Sequence, residues 1–329
     1  MTFASSFALS EKEISEKGQR MKLGILAWHA GESESEGIAA AARARAHETT
    51  VFEISDIGLR ETPTGTVPTI AGRDAADLDV VVSRAHVGLK NWRYAVERLF
   101  LLSSVSGLVM LDPADAHTAA VSKAVMLHRV AQVGVRVPKT RICRNVEDFE
   151  AAVADWGAVV VKPSVGHRGI DVDRFSDGLT DRSRARLEQL LATYGELLCQ
   201  EYLKHDGDWR VHVVDDQVTM CVHVMTDSDG QWKPISGAET KKPEDIRRAD
   251  IELVTAEDDL ADVGLRATAA TGLSMAGVDI VRHDGEWVVM EVNGCPAWAF
   301  LEHSLQEQRC HEVVDLAERR HQENAARRG

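Results

Sequence analysis

The chain alternates short apolar runs with longer amphipathic stretches, and the period of each run names the element it predicts. Residues 21–28 (MKLGILAW) are an apolar run of strand length, and 31–46 read as a loop leading into an alanine-rich helix. Residues 47–54 and 79–83 predict second and third strands, 91–105 an amphipathic helix, and 107–111 a fourth strand. Strands alternating with helices build a parallel sheet with helical cover. Residues 117–133 place Val121, Val125, Leu127 and Val130 on one helical stripe, ended by Gly134 and Pro138. A helix over 145–155 is capped by Asn145 with Asp148.

Residues 158–163 (AVVVKP) form a strand, and with the Ser164 to Gly169 loop and residues 170–175 they give strand, glycine-containing loop and strand. A helix over 183–194, a strand over 197–203 and a hairpin of 208–214 with 217–225, turning at Asp215-Asp216, follow. Thr255 with Asp258 opens a helix running to about Ala270. The fold class is α/β, becoming α+β in the C-terminal half. The expected division is a flexible extension (1–20), a parallel βαβ domain (21–114), two α+β subdomains (115–195 and 196–308), and a C-terminal helix with a basic tail (309–329), read as a solvated face.

The last apolar hairpin, 276–296, breaks the pattern by carrying Asp279, Glu291 and Asn293 where a sheet usually has valine. Side chains alternate faces, so Glu291 and Asn293 share one automatically. Asp279 joins them only if the loop at Asp284-Gly285 has an odd number of residues, so a loop of three or five is expected. Two carboxylates and an amide oxygen suit Mg²⁺. The competing reading of the segment by itself is a solvent-facing polar stripe on an edge hairpin.

Composition narrows the classes. At 329 residues with 44% hydrophobic and 27% charged residues, the chain has the make-up of a globular protein. A net charge of -14 argues against a general nucleic-acid surface. No run has the length of a membrane span and residues 1–20 lack the basic start of a secretory signal, so a cytoplasmic location without membrane contact is expected. The five cysteines are scattered without a CxxC pair, which argues against a disulfide framework or a zinc site. Cys295 beside the metal motif reads as a bystander.

The order Lys123, Val160-Val161-Lys162 with its glycine loop, Cys199-Gln200-Glu201-Tyr202-Leu203, Asp208-Trp209-Arg210, then Asp279, Glu291 and Asn293 resembles the ATP-grasp superfamily. Within it the chain is similar to RimK-type glutamate ligases, LysX proteins and glutathione synthetases over about residues 21–305, most closely at Ala276-Gly-Val-Asp-Ile280 and Val289-Met-Glu-Val-Asn293.

The resemblance implies a pre-ATP-grasp N-terminal domain and two subdomains clasping ATP. Lys123 and Lys162 would contact the phosphates, with Gly166, His167, Arg168 and Gly169 folding over them. Gln200, Glu201, Tyr202 and Leu203 would hold adenine, Asp208 would lie near the ribose or second substrate, and Arg210 would stabilise the transferred phosphoryl. Asp279, Glu291 and Asn293 would hold one or two Mg²⁺, with Mn²⁺ as a substitute. The implied reaction joins a carboxylate to an amine through an acyl phosphate, on amino-acid or peptide-like substrates, in a monomer or homo-oligomer. A small-molecule kinase or a non-catalytic nucleotide-binding protein are the competing readings.

Two departures bear on substrate. The arginine pair of RimK-type ligases is missing after Asp208-Trp209-Arg210, with His223 and Lys233 as replacement candidates. Gly294-Cys-Pro-Ala-Trp298 replaces the usual small residue and Pro-Gly, so Trp298 either narrows a pocket or packs a turn. Arg84, and more weakly His86, follow the third strand where open sheets bind ligands, and are candidates for a substrate carboxylate.

Overall fold

In β1 (Lys22–Ala27) every residue after Lys22 is buried, as a central parallel strand covered on both faces requires. The computed structural model describes residues 20–85, 87–88, 91–166, 169–175, 179–205, 207–225 and 251–329. β1 pairs in parallel with β2 (Glu48–Glu53) and β6 (Val80–Ser83), and β6 with β7 (Val109–Leu111), giving the order β2-β1-β6-β7. Leu26, Phe52 and Val81 pack towards α2 (Trp92–Ser103). Leu23, Ile25, Val80 and Val82 pack with α1 (Ser33–Ala44) and the last helix, α8 (His303–Arg328).

α8 therefore differs from the expected solvated segment. Cys310, Val313, Val314, Leu316 and Ala317 are buried in the N-terminal core, and Glu318 accepts from His47 Nε2 at 2.7 Å. A three-stranded antiparallel sheet, β3 (Ile57–Thr62), β4 (Gly65–Ile70) and β5 (Arg73–Asp74), was also not anticipated. Its strands are mostly polar and anchor to the core through Ile57 and Ile70, so no apolar run announced them.

The single stripe expected over 117–133 is two helices, α3 (Ala114–Val121) and α4 (Lys123–Gln132), broken at Ser122 with φ -80° and ψ 100°. The break makes Lys123 the first residue of α4, where its N–H donates to Ser164 O at 2.9 Å. An antiparallel sheet of order β10-β9-β11-β8 follows, from β8 (Thr140–Cys143), β9 (Val159–Lys162), β10 (Asp173–Phe175) and β11 (Leu197–Glu201). It is covered by α5 (Val146–Trp156), where Asn145 accepts from Asp148 N, and by α6 (Asp181–Tyr194).

The largest sheet has the order β14-β13-β12-β15-β16, from β12 (Gly207–Val214), β13 (Gln217–Met225), β14 (Ile251–Val254), β15 (Met275–His283) and β16 (Glu286–Asn293). α4 and α7 (Asp258–Thr271) bury one face through Val211, Val278, Ile280, Val289 and Val292. Glu257, without a side-chain cap bond, stands at the N-cap of α7 instead of Thr255.

The β15–β16 loop is the strict two-residue turn, Asp284 and Gly285 at φ 51° and 81°, and not the odd loop expected. A β-bulge supplies the missing residue. Ile280 pairs with Val289 but Asp279 pairs with Glu291, leaving Met290 as the extra residue, so parity is restored within the strand.

Candidate active site

On the face opposite α7, register brings the polar residues into rows. Arg210 lies opposite Asp279, and Asp279 opposite Glu291; one row along, His212 lies opposite Gly277 and Gly277 opposite Asn293. Arg210 grips Asp279 through both ends of its guanidinium, Nε to Oδ1 at 2.6 Å and Nη2 to Oδ2 at 2.9 Å. Asn293 Nδ2 donates to Asp279 Oδ2 at 3.2 Å. Lys123 Nζ joins the glycine loop to this sheet, donating to Gly166 O at 2.7 Å and pairing with Glu291 Oε1 at 2.9 Å. Lys162, at the end of β9, is buried beside them.

Charge follows from this crowding. Burial and the neighbouring Lys123 push the Lys162 ammonium down to about 8, against the pull of Glu291 and Asp279. Burial acts to raise Glu291, but Lys123 and Lys162 outweigh it and hold the carboxyl below its ordinary value. Asp279 raises Arg210 further. Burial and Asp279 push Asp208 up to about 7, with Arg210 opposing. Burial, with Arg210, Arg309 and Arg84 nearby, takes His212 down to about 3, so it adds no charge to the row. The set of two carboxylates and an amide, already drawn together by cations, fits a divalent hard ion that shares its shell with phosphate oxygens.

Beside the charged rows lies an apolar patch of Leu203, Val281 and Val288, with Met290 packed against it. The bulge places Met290 next to Glu291, so one device serves both patch and carboxylate. Sequence reasoning missed Val281, Val288 and Met290 because an apolar strand residue lining a site reads like core. Around the hinge, Gln200 Nε2 donates to Thr140 Oγ1 at 2.9 Å, and Tyr202 N donates to Ala158 O at 2.9 Å beneath the Arg174 guanidinium, 3.8 Å from its ring. The Glu201 carboxylate accepts from Lys139 N at 3.0 Å and pairs with Lys139 Nζ at 3.2 Å. Gly169 adopts φ 64°, a left-handed turn.

Three expected substrate residues are placed elsewhere. Arg84 is 2% exposed and its guanidinium is already engaged: Nε and Nη2 donate to Glu32 Oε1 at 3.0 and 2.7 Å, and Nη1 donates to Pro296 O at 3.0 Å. Trp298 lies under that guanidinium, 4.5 Å from CZ to the ring centroid, and is buried in the N-terminal core. Its N–H and that of Ala299 donate to Glu34 Oε1 at 3.0 and 3.1 Å, so Trp298 packs a turn. His223 stacks on Trp209 at 4.2 Å, on the opposite face of the sheet from Arg210. His86, His167, Arg168 and Lys233 lie outside the described residues.

A glycine loop and a paired-carboxylate sheet joined by one lysine, beside an apolar floor, define the nucleotide-clasping class of ligases. The chain belongs to the RimK-like ATP-grasp domain family, whose model matches residues 120–316. A probable alpha-L-glutamate ligase of Stenotrophomonas maltophilia (strain K279a) is 27% identical over 289 residues, 86% of this chain and 93% of that protein. Among solved structures, the D-cycloserine synthetase DcsG aligns with a TM-score of 0.68 at 19% identity, covering 91% of this chain and 99% of its own. The ATP-grasp ligase PsnB with minimal precursor, Mg and ADP aligns at 0.62 and 20%, covering 90% and 98%. The chain is thus a ligase of this family, using ATP to join a carboxylate to an amine. Among the described residues no helix is long and apolar enough to cross a membrane.

Proposed function

We propose that Lys123, Lys162 and Arg210 neutralise the phosphates of ATP while Asp279, Glu291 and Asn293 hold Mg²⁺, or Mn²⁺ in its place, and that the substrates are amino-acid or peptide-like. The observation that carries this reading is the Lys123 bridge, one ammonium touching both the glycine loop and a metal carboxylate. The apolar patch of Leu203, Val281, Val288 and Met290 suits the base, with Tyr202 and Glu201 at its edge. Gly166, His167, Arg168 and Gly169 would cover the phosphates, and Asp208 would lie towards the ribose or second substrate. The modules are residues 21–114 for substrate and 115–195 and 196–308 for the nucleotide, in a monomer or homo-oligomer acting in the cytoplasm.

Phosphoryl transfer asks the protein mainly for position and charge neutralisation. A substrate carboxylate attacks the γ-phosphorus, and ADP leaves as the acyl phosphate forms. The amine then attacks the acyl carbon and phosphate leaves with the amide bond formed. Asp279, Glu291 and Asn293 would hold the Mg²⁺, which would supply neutralisation of phosphate charge. Arg210, held by Asp279 at the centre of the row, would stabilise the charge that develops on the transferred phosphoryl.

The test is phosphate release from ATP with pooled amino acids, with the adduct identified by mass. Amine-dependent release with an amide product is expected, and Glu291→Ala should abolish it. Turnover without amine, leaving a stable phosphorylated product, would instead make the protein a kinase.

A further inference from the structure

The catalytic row does not end at Arg210. Across β13 and β14 it continues through Val222, opposite Arg210, and Leu253, opposite Val222. At about 4.8 Å per strand, Leu253 lies roughly 10 Å from Arg210 on the same face. The neighbouring row runs from Gly277 through His212 to Met220. At the end of these rows is a cleft of about 180 Å³, lined by Met220, Cys221, Leu253, Val254, Leu301 and Leu305 together with the polar Thr219, Gln308 and Arg309.

Leu253 is 50% exposed in this cleft although it carries one of the larger apolar side chains of the sheet. Arg309 offers no charge to a ligand, since its guanidinium is donated to Thr219 O and Glu312 Oε1. Arg84 is closed off by Glu32. Among the described residues, the wall that extends the reaction centre on this side is therefore mainly apolar and carries no uncommitted charge, with Thr219 and Gln308 as its neutral polar groups, in the region where the sequence lacks the arginine pair.

We propose that this cleft receives an apolar side chain of the substrate, so that the ligase acts on an amino acid or peptide with a hydrophobic side chain near the reacting group and not on glutamate. The inference rests on the ligase reading above and deepens it. Size agrees with it, because an apolar cavity of about 150 Å³ accommodates a benzene ring. A carboxylate placed there would lose water with no uncommitted cation among the described lining residues to meet it.

The experiment is ATP-dependent phosphate release with separate panels of apolar (leucine, methionine, phenylalanine) and acidic (glutamate, aspartate) amino acids and their dipeptides, run on the full chain. Apolar members should exceed acidic ones by about tenfold or more in kcat/KM, as burial of one such side chain supplies. Leu253→Gln and Leu305→Gln should each raise KM for the apolar substrate several-fold while leaving ADP affinity, measured by calorimetry, unchanged. Preference for the acidic panel overturns the proposal and leaves the ligase reading standing. Variants that lower stability but leave KM unchanged also overturn it, since the cleft would then be covered by another part of the chain. Release with no panel counts against the ligase reading itself.

Discussion

Replacing Arg84 by Met distinguishes a buried clamp from a substrate anchor. In the folded protein Arg84 donates three hydrogen bonds, two to Glu32 and one to Pro296 O, and the Glu32 carboxylate is itself 5% exposed. Glu32 Oε2 keeps Trp28 N at 3.1 Å and the Ser35 hydroxyl at 2.6 Å, so in the variant its charge would be hydrogen-bonded but unpaired. Breaking one side of such a buried pair costs about 3–5 kcal/mol. Two charge-assisted bonds at about 1.5–3 kcal/mol each give about 3–6 kcal/mol, which overlaps that range. Arg84→Met also leaves the buried Glu34 without its partner at 4.0 Å, so Glu32→Gln in that background removes one of two stranded charges and should recover about 2 kcal/mol. Urea denaturation of the four proteins of this cycle reads both values. A loss under about 1 kcal/mol in Arg84→Met, combined with a raised substrate KM, would refute the clamp and return Arg84 to the role of carboxylate anchor.

Nucleotide affinity should depend on Lys162. Its folded value of about 8 lies below the ordinary 10.5, and the protonated form is the one that attracts phosphate. ADP binding should therefore be level below pH 8 and weaken above it by at most about tenfold per unit, a dependence that Lys162→Met removes; an unchanged slope in calorimetry with that variant would falsify the assignment. The sign for stability is opposite. The folded chain sheds this proton before the unfolded chain does, so the cost of burying the ammonium is present below pH 8 and relieved between about pH 8 and 10.5. Asp279→Asn should weaken Mg²⁺ binding in the presence of ADP at least tenfold by calorimetry, and undiminished affinity would remove Asp279 from the metal set. Trp298→Ala, at a side chain 4% exposed, should cost about 3–5 kcal/mol in denaturant unfolding; a change under about 1 kcal/mol would show that the turn does not depend on it.

Periodicity carried most of the fold because most elements bury one face. The alternating strands and helices of the N-terminal domain and the β12–β13 hairpin follow their apolar patterns closely. Polarity hid β3 to β5, and apolar continuity hid the break at Ser122, since a stripe of valines cannot show that one residue between two helices is extended. The order of Lys123, Lys162, Arg210, Asp279, Glu291 and Asn293 was legible, because their chemistry stands out in apolar strands. The bulge was not. Parity arithmetic on Asp279 and Glu291 required one extra residue, and the chain supplied it at Met290, inside the strand, where the sequence gives no glycine to mark it. Arg84 was misread for a related reason: strand position shows where a guanidinium begins, whereas its neutralisation by Glu32 and Glu34 depends on how the β1–α1 loop packs against residues 294–299.

That clamp also explains the altered stretch beyond the metal motif. In this chain the loop after Asn293 is held to the N-terminal sheet and the start of α1 at four points: the Cys295 thiol donates to Arg84 O, Pro296 O is held by Arg84, the Trp298 and Ala299 N–H groups by Glu34, and the Trp298 ring lies beneath the guanidinium. A small residue followed by Pro-Gly has no aromatic ring to lie beneath the guanidinium. Trp298, Glu32, Glu34 and Arg84 are thus one unit, and its position fixes the end of β16 that carries Asn293 and Glu291. The buried arginine is thereby withdrawn from ligand binding. With it withdrawn and His223 turned to the other face, the charged groups that converge on the described centre are those proposed above for phosphates and metal, while the wall beyond Arg210 is left mainly apolar.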